Sequence, residues 1–283
     1  MLSAIRDFSV AMCVWRNDNP VLFDRALTSI LDQSLLPIEL ILVVDGPITQ
    51  KIENVILEFQ EEALRSDIEF VCIRLDSNIG HGGARNIAIN KATTQFVAIC
   101  DADDINEPSR FKKQYEYLNS NSDITLVGSQ IYEQNLLGSN LAKSVRRVPL
   151  KHDVIVRYSG DRCPFNQMTV MFRREDILEV GGYQDFYHNE DYYLWFRLML
   201  ARKRLANLED FLVTAHVDEK SFQRRGGLKY FRSEARIKQL FYRNGMLSLY
   251  RLCINILVRF VIQVLCPAKV RGFIFLRVLR ENG

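Results

Sequence analysis

The first hundred residues alternate short apolar, β-branched runs with segments of helical periodicity, and this alternation constrains the fold more than any other feature. The strand-like runs are bounded by Gly, Pro, Asn or Asp; they are Phe8–Val14, Glu39–Val44, Phe70–Arg74 and Phe96–Cys100. The segments between them carry apolar residues at three- and four-residue spacing; they are Leu22–Ser34, Gln50–Arg65 and Gly83–Ala92. This β-α-β-α-β-α-β order predicts an α/β fold with a mostly parallel sheet flanked by helices.

Polar side chains follow three of these predicted strands at the point where each strand ends. Trp15–Asp18 follows the first strand, Asp45–Pro47 the second and Asp101–Asp104 the fourth. Because open parallel sheets bind their ligands at the carboxyl ends of the strands, we expect these side chains to converge on one edge of the sheet.

The segment Asp101–Asp104 contains three acidic residues in four positions, and like charges this close repel one another unless a cation lies among them. Carboxylate oxygens suit Mg²⁺ or Mn²⁺, and Mg²⁺ is usually held by one or two carboxylates together with substrate phosphates. The four histidines of the chain lack the spacing of zinc ligands. The segment therefore predicts a magnesium or manganese site, although acidic loops also cap many helices.

A series of short motifs runs through residues 8–227 in the order of one known family. The motifs are Phe8–Met12, Leu42–Pro47, Asn78–Gly80 followed by Ala84–Asn86, Asp101–Asp104, Pro164–Asn166, Gly181–Tyr183, Glu190–Trp195 and Arg224–Gly227. In these motifs the chain resembles the inverting family-2 glycosyltransferases, and more closely the bacterial O-antigen and exopolysaccharide members of the amylovoran type. The resemblance implies a GT-A fold, in which residues 1–107 form the nucleotide-sugar-binding half and residues 108–219 form the acceptor-binding half.

The resemblance also implies roles for individual residues. Asp45 would hydrogen-bond the uracil, Arg85 would lie near the nucleotide or diphosphate, and Asp101 would contact the ribose or a metal-bound water. Asp103 would be the direct metal ligand, with Asp101 as the second residue of the metal site, and Asp191 would be the catalytic base. The other expected donor-binding residues are Ala11, Trp15, Arg224 and Arg225, and the expected acceptor-binding residues are Asn166, Glu190 and Trp195.

Several of these roles have an alternative. Asp191 precedes an amphipathic helix and could instead be its N-cap, a position for which Asp is preferred. Trp15 could stack on uracil or pack in the core. Arg224 and Arg225 could close over the diphosphate or begin a membrane-binding tail. Gln167 stands where we expect relatives often to carry His, which leaves the acceptor contacts open.

The last part of the chain differs sharply in charge from the rest. Residues 220–283 carry 14 Lys and Arg against 2 Asp and Glu, whereas residues 1–219 carry 23 against 32. Leu247–Leu265 approaches the length of a membrane span, but Arg251 and Arg259 interrupt it, and a charged residue at mid-membrane costs about 2.5–3.5 kcal/mol. We therefore predict a basic, amphipathic, helical tail that lies on an anionic membrane surface rather than on nucleic acid.

The resemblance to the family-2 glycosyltransferases, together with the basic tail, implies the expected function. The chain would transfer a hexose (glucose, galactose or an N-acetyl derivative) from a UDP-sugar to a polyprenyl-diphosphate-linked sugar, with inversion to a β-linkage. The six cysteines form no CxxC pair and the first residues do not resemble a signal peptide, which favours the cytoplasmic face of a bacterial inner membrane. A nucleotidyltransferase acting on a sugar phosphate is the alternative enzyme, and a non-catalytic peripheral scaffold is the third possibility.

Overall fold

The computed structural model describes residues 6–138, 144–217, 226–267 and 281–282. Its strands are β1 Phe8–Val14, β2 Glu39–Val44, β3 Glu69–Arg74, β4 Phe96–Asp101, β5 Ile105–Asn106, β6 Ile124–Gln134, β7 Ser144–Arg146, β8 Met171–Arg173, β9 Arg204–His216 and β10 Glu281–Asn282. Its helices are α1 Pro20–Leu31, α2 Gln50–Arg65, α3 His81–Lys91, α4 Arg110–Ser120, α5 His152–Ser159, α6 Arg174–Glu179, α7 Glu190–Leu200, α8 Leu228–Arg243 and α9 Leu249–Phe260. A 3-10 turn at Gln167–Thr169 and a π-helical turn at Val261–Leu265 complete the set.

One mixed sheet forms the centre of the molecule. Its strand order is β10-β7-β6-β8-β4-β1-β2-β3, and β9 lies beside β6 and also pairs with the short β5. Strands β1, β2, β3 and β4 are mutually parallel, as the sequence predicts, whereas β8 runs antiparallel to both β4 and β6. The carboxyl ends of β1, β2 and β4 therefore meet at one edge of the sheet.

Local sequence accounts well for the boundaries in the parallel half. Helix α1 begins at Pro20, two residues earlier than expected, because the Asn19 side chain accepts hydrogen bonds from the backbone N–H groups of Val21 (2.9 Å) and Leu22 (3.3 Å). Asn is a preferred N-cap residue, and the fixed φ of proline suits the first helical position.

Both faces of the sheet are buried, which explains why the central strands are continuously apolar. Successive side chains of β1 point to opposite faces: Phe8, Val10 and Met12 pack in one core cluster, and Ala11 packs in the other. The first cluster also contains the buried faces of α1, α2 and α4, and the second contains those of α3, α7 and α8.

Helix α8 is part of the second core cluster and not an appendage to it. Its residues Ile237 and Phe241 are fully buried, and the Phe241 ring lies 4.8 Å from that of Phe196 in α7. Leu247 and Leu252 bury against the same cluster. The boundary expected at residue 220 therefore does not separate two packing units, because the apolar side of α8 completes the core over α7.

Helix α9 leaves large apolar side chains exposed on its outer side. They include Tyr250, Leu257, Val258 and, in the π-helical turn, Leu265. Among the described residues, the structure contains no helix of the length and apolarity that a membrane span requires.

Candidate active site

A cavity of about 310 Å³ lies at the carboxyl ends of β1 and β4, between α3 and the start of α7; we call it the donor cavity. Five of the residues that the sequence assigns to donor, metal or acceptor binding line it. They are Trp15, Arg85, Asp101, Asp103 and Glu190. The sheet topology therefore brings together side chains that lie up to 175 positions apart in the sequence.

Arg85 is a buried cation in the wall of the donor cavity. Its guanidinium donates to Asp101 Oδ1 over 2.7 Å and lies 3.9 Å from Glu190 Oε1. Burial opposes the charge on Arg85, but the Asp101 carboxylate and other nearby acidic groups outweigh burial and raise its pKa. A buried cation is stable only when it is paired, so Arg85 stays charged and holds Asp101 in place.

The acidic segment Asp101–Asp104, at the end of β4, both fixes the local backbone and lines the donor cavity. Asp104 is buried, and its Oδ1 accepts a hydrogen bond from the backbone N–H of His216 over 2.8 Å, which ties this segment to the end of β9. Burial, together with the charges of Asp103 and Asp101, raises the pKa of Asp104 well above its usual value. All three aspartates line the cavity, and Asp101 and Asp103 are less buried there than Asp104.

These side chains fit a divalent cation of the magnesium or manganese type. No three His, Cys, Asp or Glu side chains converge as a closed metal site within the described residues. Asp101 and Asp103 offer hard carboxylate oxygens on an open cavity, and one or two carboxylates with phosphate oxygens and water form the usual magnesium site. The donor set therefore matches a cation that arrives with a diphosphate.

Asp45 lies at the end of β2 and anchors the loop before α3. Its carboxylate accepts hydrogen bonds from the backbone N–H groups of Ile79 (2.7 Å) and Gly80 (3.0 Å) and from the side chain of Asn78 (2.8 Å). Gly46 allows this close approach, because a Cβ there would lie 2.8 Å from the backbone nitrogen of Asn78, and its φ is +86°. Most of the acceptor capacity of Asp45 is thus engaged within the protein, and its contact with uracil stays a prediction.

Asp191 lies in the first turn of α7 and faces a second cavity of about 200 Å³, which we call the acceptor cavity. The N-cap of α7 is Asn189, so the capping alternative for Asp191 is wrong. Burial and the charge of Glu190 raise the pKa of Asp191 to about 6, although the N–H of Tyr192, Arg85 and Arg146 favour the carboxylate.

The donor and acceptor cavities share a wall. Arg146, Met168, His188 and Tyr230 line both of them. No short motif identifies this wall in the sequence, because β7, the 3-10 turn, the loop before α7 and helix α8 contribute one residue each. His188 stands out only in the structure, where its φ of +53° is unusual for a residue other than glycine.

Three expected site residues lie in the core instead. Ala11 is fully buried in the middle of β1, two residues short of the first cavity-lining residue, Cys13. Asn166 is fully buried and donates to the carbonyl of Ser129 over 2.8 Å. Trp195 is fully buried against Phe165, with 5.4 Å between ring centroids. Their assignment to ligand contacts is corrected, because a side chain without exposed surface in the cavity does not meet a ligand directly.

The remaining assignments are placed as follows. Gln167 lines the acceptor cavity and donates to the hydroxyl of Tyr183 over 2.6 Å, so the position where we expected His supports the cavity wall. Trp15 lines the donor cavity, where its stacking on uracil stays a prediction. Arg224 and Arg225 lie outside the described residues.

The sequence and the structure both resemble known glycosyltransferases. The chain is 31% identical to the UDP-Gal:alpha-D-GlcNAc-diphosphoundecaprenol beta-1,3-galactosyltransferase of Escherichia coli, over 97% of both chains. It is 30% identical to the amylovoran biosynthesis glycosyltransferase AmsE of Erwinia amylovora, over 95% of this chain and 97% of that one.

Solved structures agree on the fold. Residues 1–349 of S. aureus TarS in complex with UDP-GlcNAc superpose with a TM-score of 0.65 at 18% identity, covering 94% of this chain and 75% of that one. The mannosyltransferase PcManGT of Pyrobaculum calidifontis, in complex with GDP-Man and Mn²⁺, gives a TM-score of 0.63 at 16% identity, covering 96% and 81%. At these identities the likeness shows the GT-A fold alone.

The family match confirms the expected enzyme class and gives the nucleotidyltransferase alternative no support. The family model described as Glycosyl transferase family 2 matches residues 9–182, more than half of the chain, and includes the Arg85, Asp101 and Asp103 side chains of the donor cavity. The chain therefore belongs to glycosyl transferase family 2 and is a glycosyltransferase of GT-A fold.

Proposed function

We propose that this enzyme transfers a hexose (glucose, galactose or an N-acetyl derivative) from a UDP-sugar to a sugar carried on polyprenyl diphosphate, during assembly of O-antigen or exopolysaccharide repeat units. The observation that carries the proposal is the pair of adjoining cavities, one lined by Arg85, Asp101 and Asp103 and the other by Asp191. The printed activity of the E. coli relative, a UDP-galactose to GlcNAc-diphosphoundecaprenol transfer, supports the same substrate classes.

The chemistry follows from this arrangement. A hydroxyl oxygen of the acceptor sugar attacks the anomeric carbon as the bond from that carbon to the phosphate oxygen breaks, and UDP leaves with the bonding electrons. Asp191 takes the proton of the attacking hydroxyl. A pKa of about 6 leaves Asp191 ionised at neutral pH and more basic than an ordinary carboxylate, as a general base requires. A single displacement inverts the anomeric centre, so an α-linked donor gives a β-linkage.

The donor cavity provides the charges that the leaving group needs. Arg85 is a buried cation that places positive charge beside the diphosphate without having to move. Asp101 and Asp103 would hold a divalent cation, Mn²⁺ or Mg²⁺, which when bound offsets the negative charge on the diphosphate. Asp45 keeps the loop of residues 78–80 in place beside α3.

We place the enzyme at the cytoplasmic face of the bacterial inner membrane, bound by the outer side of α9. Tyr250, Leu257, Val258 and Leu265 are exposed there, and the surrounding segment 220–283 is strongly basic. Apolar side chains with nearby cations suit an anionic lipid surface, on which each Lys or Arg contributes about 1 kcal/mol.

A transfer assay tests the proposal. Radiolabelled UDP-glucose, UDP-galactose and their N-acetyl derivatives are each incubated with a synthetic lipid-diphosphate N-acetylglucosamine and Mn²⁺ or Mg²⁺. We expect label in the lipid product from one of the four donors, with a β-linkage by NMR. Absence of transfer from all four donors would contradict the proposed function.

A further inference from the structure

Three arginines from distant parts of the chain line the acceptor cavity, and we call them the arginine cluster. Arg146 ends β7, Arg162 lies just after α5, and Arg259 lies near the end of α9. The mechanism proposed above gives none of them a role. Three guanidinium groups around a cavity of about 200 Å³ are costly unless anions lie among them.

The protein supplies only part of the required negative charge. Arg259 is paired with Glu234 over 2.6 Å and donates to the carbonyl of Asp161 over 3.0 Å. Arg146 donates to the carbonyls of Cys163 (3.3 Å) and Phe165 (3.5 Å), which are dipoles, and its charge interacts with the Asp191 carboxylate in the same cavity. Three cations therefore face two carboxylates, those of Asp191 and Glu234, in the lining of this cavity.

Arg162 is the member of the cluster that lacks a counter-ion. In the part of the chain that the structure describes, its guanidinium makes no ion pair and donates no hydrogen bond, and only its backbone N–H donates, to the carbonyl of Tyr158 over 3.0 Å. Burial is the largest cause that lowers the pKa of Arg162, and the charges of Arg146 and Arg259 lower it too; the opposing effects of Tyr158 and Glu133 do not outweigh them. A guanidinium remains charged under these conditions, so the free donors of Arg162 form a site for an anion.

The geometry points to the diphosphate of the lipid-linked acceptor as this anion: Arg162 and Arg146 bind it, and Arg259 closes the site from α9. This inference rests on the proposed function, because it names the part of the acceptor that the cluster recognises. Planar guanidinium groups can donate two parallel hydrogen bonds to one phosphate, and two of them suit a diphosphate better than a monophosphate.

Two observations favour the acceptor diphosphate over that of the donor. Asp101, Asp103 and Arg85 line the donor cavity, on the other side of the shared wall, and are the diphosphate and cation site that we propose there. The arginine cluster lies in the same cavity as Asp191, where the attacking hydroxyl of the acceptor must lie. A sugar between Asp191 and the cluster would thus have its reactive hydroxyl at one end and its diphosphate at the other.

The position of Arg259 also predicts the direction in which the lipid chain leaves the acceptor cavity. Its neighbours Leu257 and Val258 are exposed on the outer side of α9, while the Arg259 side chain is about four-fifths buried toward the cavity. A lipid chain that leaves the arginine cluster therefore passes the helix whose apolar side we assign to the membrane.

The test measures binding independently of transfer. Protein preloaded with UDP and Mn²⁺, so that the donor cavity is filled, is titrated by calorimetry with a short alkyl diphosphate and with the matching alkyl monophosphate. The wild type should prefer the diphosphate, and Arg162→Gln should weaken diphosphate binding about 10- to 100-fold, the loss expected for charge-assisted hydrogen bonds. Arg162→Lys, which keeps the charge but lacks the planar guanidinium group, should lose part of the preference for the diphosphate over the monophosphate. Arg243→Gln, which removes an exposed charge at the end of α8, should bind both ligands as the wild type does.

The outcomes separate this inference from the proposed function. The inference is overturned if Arg162→Gln keeps the thermal midpoint of the wild type and still prefers the diphosphate. The proposed function is judged separately, by whether the wild type transfers sugar in the transfer assay. Competition between the alkyl diphosphate and UDP also overturns it, because the cluster would then belong to the donor site. If Arg162→Gln does not fold, the Arg162→Lys titration decides: an undiminished diphosphate preference overturns the inference, and a partial loss supports it.

Discussion

Replacement of Asp191 by Asn should lower activity and raise stability in the same protein, and both effects follow from its surroundings. Burial and Glu190 raise the pKa of this carboxyl from 3.8 to about 6. At about 1.4 kcal/mol for each pKa unit, ionisation of Asp191 in the folded state costs about 3 kcal/mol. Because the side chain is partly exposed, solvent screening reduces this to about 1–2 kcal/mol.

The sign of the pH dependence follows from the direction of the shift. The folded-state pKa lies above that of the unfolded chain, so the wild type loses stability as the pH rises from 3.8 to about 6, and the full cost is present above pH 6. Asn carries no charge, and its side-chain oxygen can still accept the N–H of Tyr192, which Asp191 accepts over 2.7 Å. The variant should therefore be more stable above pH 6, with about half of the gain at pH 5.

Two assays measure this prediction. The thermal midpoint of Asp191→Asn should exceed that of the wild type by about 2–4 °C at pH 8. Its kcat should fall by about 100- to 10,000-fold, as expected when a general base is lost, while UDP binding is unchanged. For the wild type, kcat should fall with decreasing pH below about 6. Asp24→Asn, which removes an exposed charge from α1, should change neither quantity.

The two halves of the prediction can fail separately. Retained turnover in Asp191→Asn would remove Asp191 as the base. A thermal midpoint that equals that of the wild type at both pH 5 and pH 8 would refute the argument that its ionisation is costly in the fold.

Three further perturbations test other parts of the structure. Asp103→Ala should abolish the Mn²⁺-dependent heat of UDP binding in calorimetry without changing the fold, and an unchanged heat would remove Asp103 from the metal site. Gly128→Ala should lower the free energy of unfolding by about 1–3 kcal/mol in urea, because the added Cβ would overlap Asn207 Oδ1 and lie 3.0 Å from Phe165. Leu257→Gln should weaken binding to anionic vesicles about tenfold in a sedimentation assay, the loss expected when one leucine is no longer buried in the lipid. The control Leu64→Gln, at an exposed position on α2, should bind as the wild type does. Equal effects of the two substitutions would argue against α9 as the membrane-binding helix.

The parallel half of the fold was predictable because its signals are local. Each apolar run lies between residues that break strands, and β1 and β2 have the predicted bounds. Dependence on local sequence also explains why Trp195 was wrongly assigned to acceptor binding. Trp195 follows Glu190 and Asp191 in a motif, but it also lies on the apolar stripe of α7, and the helical period turns that stripe to the core while the first turn faces the cavities.

The shared wall and the arginine cluster were not predictable, because they depend on long-range packing. Arg146, His188 and Tyr230 lie more than 40 positions apart from one another and meet only after β7 and α8 have docked. The charge of the C-terminal segment predicted a tail on the membrane, yet Ile237 and Phe241 bury one side of α8 in the core. The number of charged residues in a helix describes its solvent-exposed side and does not reveal that the other side is apolar and packs in the core.

Helix α9 contributes to both of the sites that we propose, and this gives the basic segment a function beyond attachment. A tail that only attached the enzyme to the membrane would leave the orientation of the acceptor cavity undetermined. Here Leu252 packs α9 against the core, and Arg259 forms an ion pair with Glu234 of α8, so the rotation of the helix about its axis is fixed. The side that carries Leu257 must then face outward whenever Arg259 faces the acceptor cavity. Membrane binding through that side would orient the acceptor cavity relative to the lipid surface, which is what a substrate anchored in the bilayer requires.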